Sequence, residues 1–159
     1  MLITREADYA IRLVRGLADG QIHPTKQICE EEEIPWKFAY KILKKLKDAS
    51  IVESISGVYG GCRLTADLRE VSLYDMITAI EDRQYLNDCM LPGYECKWVE
   101  RKQRPCKVCK ALADIQKDLD ERLASYKMAD LIQDLPKKQD IAQNEKAEAK
   151  ESGSQKRLA

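Results

Sequence analysis

Pro35-Trp36-Lys37-Phe38-Ala39-Tyr40-Lys41-Ile42-Leu43-Lys44-Lys45-Leu46-Lys47, then Ile51-Val52-Glu53-Ser54-Ile55-Ser56-Gly57-Val58-Tyr59-Gly60-Gly61-Cys62-Arg63-Leu64-Thr65, is the stretch on which the fold turns. Pro35 suits the first turn of a helix. Phe38, Ala39, Ile42, Leu43 and Leu46 recur at steps of three and four, so a helix is expected to run to about Ala49. Its opposite face carries Lys37, Lys41 and Lys44, with Trp36, Tyr40, Lys45 and Lys47 alongside and no acidic residue among them. A solvated surface accounts for most lysine stripes. A helix lying in a DNA major groove uses the same pattern, with lysines on phosphates and base edges. The second half alternates as two short strands, Ile51 to Ile55 and Cys62 to Thr65, around a glycine-rich turn.

A hairpin directly after a basic helix reads as a wing, and a wing tip commonly reaches a phosphate or the minor groove. Tyr59, Gly60 and Arg63 are its candidate contacts. Gly60 and Gly61 allow positive torsions and a close approach of main chain to DNA, although any tight turn also wants glycine. Upstream, Thr25 is placed to cap a short helix holding Ile28 and Cys29, and the acidic run Glu30 to Glu33 leads into the turn at Glu33-Ile34-Pro35. Two short helices joined by a tight turn, the second basic, form a helix-turn-helix pattern. Thr4 can cap a first helix with Ala7, Ala10, Ile11, Val14, Leu17 and Ala18 on its apolar side and Gly20 at its end. Asp8 lies near the positive end of that helix, where a carboxylate is favoured. His23 is the only histidine and reads as a lone loop residue, which removes a Ser-His-Asp triad and a multi-histidine zinc site. Cys29 and Cys62 read as small core residues.

Ser72 and Asp75 spell a capping box for a helix with Leu73, Met76, Ile77 and Ile80 on one face, ending near Asp82. Then comes the segment from Cys89 to Cys109, which holds four of the six cysteines. It shows no helix or strand period and carries Pro92, Gly93 and Pro105, so it is expected to be a loop. A loop of this length inside a compact domain usually has a job. Four thiolates, Cys89, Cys96, Cys106 and Cys109, suit an iron–sulfur cluster or zinc, and such a centre would offset the entropy of ordering the loop. Lys97, Arg101, Lys102 and Arg104 make the segment basic, which would favour thiolates; a solvated charged loop explains them nearly as well. After Cys109, Leu112, Ile115, Leu119, Leu123 and Tyr126 mark a narrow apolar seam on a long charged helix. Such a seam wants a partner helix, and a symmetric dimer is the favoured arrangement. Met128, Leu131, Ile132 and Leu135 suggest one more docked turn.

The chain has 159 residues, 44% hydrophobic and 34% charged, with 27 basic and 27 acidic side chains. That suits a globular chain with a real core. A net charge of zero argues neither for nor against DNA, so local distribution decides. No apolar run is long enough to span a bilayer, and the N-terminus is no signal peptide, so no membrane partner and a cytoplasmic location are expected. In a reducing compartment clustered cysteines bind metal more often than they form disulfides, leaving a disulfide as an oxidised side state. The organisation expected is a winged helix-turn-helix over residues 1–70, a linker helix, cysteine loop and dimerisation helix over 71–135, and a disordered tail over 136–159. The fold class is mainly α with a small β-hairpin wing.

These residues resemble the bacterial winged-helix regulators of the IscR, NsrR and CymR type. The resemblance rests on Asp8-Tyr9-Ala10, the Leu43 to Val52 stretch, the wing Gly57-x-x-Gly60-Gly61-x-Arg63-Leu64, the Ser72 helix and the cysteine loop before a long helix. It implies a homodimer held by the long helices, with each basic helix in a major groove of a palindromic double-stranded operator. In cluster-binding members three loop cysteines hold an iron–sulfur cluster, of the 2Fe–2S or 4Fe–4S type, and the fourth ligand varies. Cys109, three residues past Cys106, stands where the IscR type has a histidine. Asp8 matches the acidic residue that NsrR-like members supply from the other subunit, which makes it a reserve ligand. Cysteine intervals of six and then nine residues differ from the IscR pattern. Glu33 and Ser50 stand where the family often has glycine.

The expected function is therefore a DNA-binding regulator, a repressor in type, that senses iron–sulfur status, redox state or nitric oxide through a cluster. The same residues admit structural zinc, or no metal, in a DNA-binding protein, and less readily a cluster or electron carrier without DNA function. No small-molecule substrate and no enzyme activity are expected, since no phosphate-binding glycine loop or nucleophile–histidine pair is present.

Overall fold

The computed structural model describes residues 3–57, 60–81 and 85–132. Val58, Tyr59, Asp82, Leu135 and residues 136–159, expected as a tail, lie outside the described residues. The elements run α1 (Arg5–Gly16), α2 (Thr25–Glu31), α3 (Trp36–Asp48), β1 (Val52–Ile55), β2 (Gly61–Leu64), α4 (Leu73–Ile80), α5 (Lys97–Lys102), α6 (Lys107–Ala124) and α7 (Met128–Leu131). Mainly helical structure with one antiparallel hairpin is thus the observed class.

Thr4 caps α1 as expected, its hydroxyl accepting from the amides of Glu6 and Ala7. The helix stops at Gly16, earlier than the sequence suggested. Gly20 (φ +74) ends the tightened turns that follow rather than the helix itself. Leu13 joins Ala7, Ala10 and Val14 on the buried face, whereas Ile11 is only half-buried. Thr25 is not a cap: Pro24 holds that position without a side-chain bond, and the Thr25 hydroxyl faces the Cys62 thiol at 3.8 Å. Cys29 and Cys62 are buried, and burial is the main cause that pushes both thiols up.

Both helices of the helix-turn-helix end in the same motif. After α3 the amides of Ser50 and Ile51 return to the carbonyls of Lys47 and Leu46 at 2.8 and 2.9 Å, with Ser50 left-handed at φ 58. After α2 the amide of Ile34 returns to Cys29 at 2.8 Å, with Glu33 left-handed at φ 54. In both, the chain reverses so that the following aliphatic residue, Ile51 or Ile34, buries itself.

The hairpin pairs Val52 with Leu64, Glu53 with Arg63, Ser54 with Cys62 and Ile55 with Gly61. His23 adds a rung on the other side of β2: it exchanges both backbone bonds with Cys62, at 3.0 and 2.9 Å. Its ring is half-buried and bonded to Asp19 at 2.9 Å, so it is not a loose loop residue. This rung explains Gly61, because a Cβ there would sit 2.1 Å from the His23 carbonyl oxygen. At Gly60 a Cβ would meet the Ile55 carbonyl oxygen at 2.3 Å. The positive torsion in the turn is at Gly57 (φ 120), so the expectation for Gly60 and Gly61 is corrected: close internal backbone contacts, not their own torsions, demand glycine there.

The core joins α1, α2, α3, α4 and α7 through Leu13, Leu17, Ile28, Ile42, Leu46, Met76, Ile80 and Met128, all fully buried. Each such side chain stabilises by about 1.5–3 kcal/mol. Phe38 departs from the expected stripe; it is 40% exposed, its ring 5.7 Å from that of Tyr9. The Ser72–Asp75 capping box forms as the sequence spells it. Chain from the end of α6 returns beside α4, where Ser72 bridges Lys127 and the Leu73 amide bonds the Tyr126 carbonyl.

Candidate nucleic-acid interface and cysteine site

On α3, burial of Ala39, Ile42, Leu43 and Leu46 turns the other arc outward. Trp36, Lys37, Tyr40, Lys41 and Lys44 are all exposed, as the sequence predicts, and the Trp36 and Tyr40 rings meet edge to face at 4.6 Å. Lys41 is not a bare cation: its ammonium donates to Glu6 at 2.7 Å across the α1–α3 contact. That hydrogen bond, ahead of the charges of Lys41 and Lys45, holds the Glu6 carboxyl below its ordinary value. Lys45 reaches the Glu6 carboxylate at 3.6 Å and donates to the Ile80 carbonyl at the end of α4. Arg63 pairs with Glu53 on the opposite strand, its Nε 2.9 Å from Oε1. Gly60 is described and half-buried; Tyr59 lies outside the described residues.

The cysteine segment is not structureless. Asp88–Met90 forms one 3-10 turn capped by Asn87, α5 occupies Lys97–Lys102, and Cys109 sits in the first turn of α6. Gln103 ends α5 in a left-handed conformation at φ 50. Cys96 is the N-cap of α5, and Cys106 is the N-cap of α6, its sulfur accepting the Cys109 amide at 3.5 Å. The Cys89 thiol donates to the Cys109 sulfur at 3.6 Å, and the Cys109 thiol to the Cys89 carbonyl at 3.7 Å. The Cys89 thiol is raised, first by its bond to Cys109, then by desolvation and by the charges of Cys109, Cys106 and Cys96. At Cys89 the expectation that basic neighbours lower the thiols is therefore not met: the neighbouring thiols raise it, and no lysine or arginine is among the causes of its shift. Arg104 turns instead to Trp98, 5.2 Å from its ring centre. Among the described residues no three His, Cys, Asp or Glu side chains form a ready cage for a metal ion. One pair stands at a spacing a metal would accept: two thiolates on a tetrahedral metal at ~2.3 Å are ~3.8 Å apart, close to the Cys89–Cys109 contact of 3.6 Å. Asp8 pairs with Arg12 at 3.1 Å on its own helix.

Two links that the sequence reading missed tie this segment to the reading head. Gln116, buried on α6, accepts the Leu86 amide at 2.8 Å and donates to Asp120 at 2.8 Å. At the end of α4, Glu81 accepts from the amide and hydroxyl of Thr4 at 3.1 and 2.6 Å. A polar residue inside a charged helix and a glutamate 77 positions from its partner carry no periodic signal. α6 carries an apolar seam among its charged faces: Val108 and Ile115 are 66% and 54% exposed, with Leu112 and Leu119, one turn beyond each, half-buried.

A basic helix, a preceding short helix across a tight turn and a following hairpin define a winged helix-turn-helix DNA-binding protein. The chain belongs to the Rrf2 family, described as an iron-dependent transcriptional regulator, whose model matches residues 3–134. It is a DNA-binding transcriptional regulator, not an enzyme. Protein aau3 of Rhizobium meliloti is 29% identical over 139 residues, 86% of this chain and 88% of that protein. The HTH-type transcriptional regulator NsrR of Bacillus subtilis is 29% identical over 92 residues, 56% of this chain and 63% of that protein. Among solved structures, CymR, the global cysteine regulator of B. subtilis, has a TM-score of 0.60 at 21% identity, covering 83% of this chain and 96% of that one. IscR of T. potens has a TM-score of 0.61 at 19% identity, covering 86% and 89%. Among the described residues no helix is long and apolar enough to cross a membrane.

Proposed function

We propose that the chain works as a twofold dimer on a palindromic operator, in the cytoplasm, with a metal centre on Cys89, Cys96, Cys106 and Cys109 setting its DNA affinity. The carrying observation is the Cys89–Cys109 contact of 3.6 Å at the start of α6. Asp8 of a second copy stays the reserve ligand. An iron–sulfur cluster held there would supply a state sensitive to oxidation, nitric oxide and iron supply. The protein's part is mechanical: Cys109 fixes the first turn of α6, Gln116 ties α6 to the segment entering the cysteines, and Glu81 and Ile80 tie the end of α4 to Thr4 and Lys45. The apolar face of α6 supports pairing with a second copy, which would set two α3 helices about one DNA turn, ~34 Å, apart. Lys37, Lys41 and Lys44, with Trp36 and Tyr40, are the groove contacts, and Tyr59, Gly60 and Arg63 the wing contacts. Lys41 and Arg63 would exchange their carboxylate partners for phosphates. Repression is the expected sign.

Zinc is the second reading, favoured by the same sulfur spacing. Protein purified without air, assayed for iron, sulfide and zinc and scanned for visible absorption, separates the two. Iron with equimolar sulfide and a coloured band supports the cluster, zinc alone supports the second reading, and neither metal overturns both.

A further inference from the structure

We infer that Trp36 and Tyr40 are the base-reading pair of α3 and that they recognise thymine methyl groups. The inference rests on the DNA-binding reading above. The outward arc of α3 carries Trp36, Lys37, Phe38, Tyr40, Lys41, Lys44, Lys47 and Asp48, Phe38 leaning on Tyr9 of α1, and has no arginine, asparagine or glutamine. Those three side chains give the planar, preorganised bidentate readout of guanine and adenine edges; lysine can also reach guanine, but as a single flexible charge. Lysine is a point charge on a flexible stem, suited to phosphates. Trp36 opens α3, the end of a recognition helix that meets base edges, and Tyr40 follows one turn later. Trp36 is 52% and Tyr40 57% exposed, so about half of each side chain faces outward; Trp36 also lines a pocket with Lys26, Cys29, Glu30 and Ile34. The edge-to-face contact at 4.6 Å makes the two rings one wedge. In a major groove the apolar group that such a wedge meets is the thymine C5 methyl.

The arrangement also divides labour along the helix. Lys37 and Lys44 flank the wedge and hold the duplex chiefly through its phosphates, while Lys41 is steadied by Glu6. Affinity and sequence preference therefore belong to different side chains and come apart under substitution.

The test uses the full chain and a random duplex library. Bound duplexes are selected and sequenced, then the best is remade with deoxyuridine for thymine at each half-site position in turn. This deletes only the methyl group. The expected result is thymine at one or two fixed positions per half-site, where uracil weakens binding about fourfold per methyl. Trp36→Ala and Tyr40→Ala should erase the difference between thymine and uracil, while keeping binding that falls with salt. Equal binding of thymine and uracil duplexes by the unaltered protein, or full discrimination in the doubly substituted variant, overturns the inference. If the unaltered protein selects no sequence and its binding ignores salt, the DNA-binding reading falls, and this one with it.

Discussion

Replacing Ser50 by glycine should stabilise the protein, and its magnitude follows from the backbone. Ser50 holds φ 58 at the reversal after α3, a conformation that costs an L-residue roughly 1–2 kcal/mol. Glycine removes that cost but gains freedom in the unfolded chain, returning about 0.4–1 kcal/mol. The net gain is about 0.5–1 kcal/mol. Little else changes: the Ser50 side chain is exposed, and the bond from the Thr65 hydroxyl goes to its backbone carbonyl. Glu33→Gly repeats the experiment after α2, at φ 54, also with an exposed side chain. For a chain of this size each should raise the melting midpoint by about 1–4 °C. The assay is thermal unfolding followed by circular dichroism at one fixed protein concentration, since association shifts the midpoint. A midpoint unchanged or lowered in both variants would refute the claim that these turns are strained at their serine and glutamate.

Gly61→Ala should act oppositely, losing about 2–3 kcal/mol, because the new Cβ meets the His23 carbonyl oxygen at 2.1 Å; urea unfolding checks it. Glu6 is depressed below its ordinary 4.5 by Lys41. Its contribution is therefore complete above that value and lost as the pH falls through the lower folded value. Glu6→Gln should lower stability at pH 7 and flatten its fall below about pH 4.5, read from unfolding midpoints across pH. Ile115→Asp places a charge on the apolar face of α6 and should yield an 18.2 kDa monomer by sedimentation, with weakened operator binding.

What the sequence reveals most clearly is what local chemistry decides. Ser72 and Asp75 bond each other three residues apart, so the capping box was legible from two letters. The basic face of α3 and the wing follow from period and turn residues alone. The departures at Glu33 and Ser50 were visible only through resemblance to a family that places glycine there, and the backbone shows why glycine suits both. α5 escaped notice because six residues between proline-bearing turns are too few to display a period. The ion pairs of Lys41 and Arg63 leave no local sign because their partners, Glu6 and Glu53, lie on other elements. Gln116 escaped because polarity on a charged helix gives no hint that folding buries it. The four cysteines are legible as a candidate donor set; the Cys89–Cys109 spacing is not, since it depends on where α6 begins relative to Cys89.

The central claim is that the state of the four-cysteine segment is felt by α3. Operator affinity of one anaerobic preparation, measured before and after chelation of its metal, tests it most directly. The account predicts a change of roughly 5–150-fold, the usual span of coupling between sites, absent in Cys109→Ala. Equal affinity before and after, with the metal shown to be gone, would contradict it.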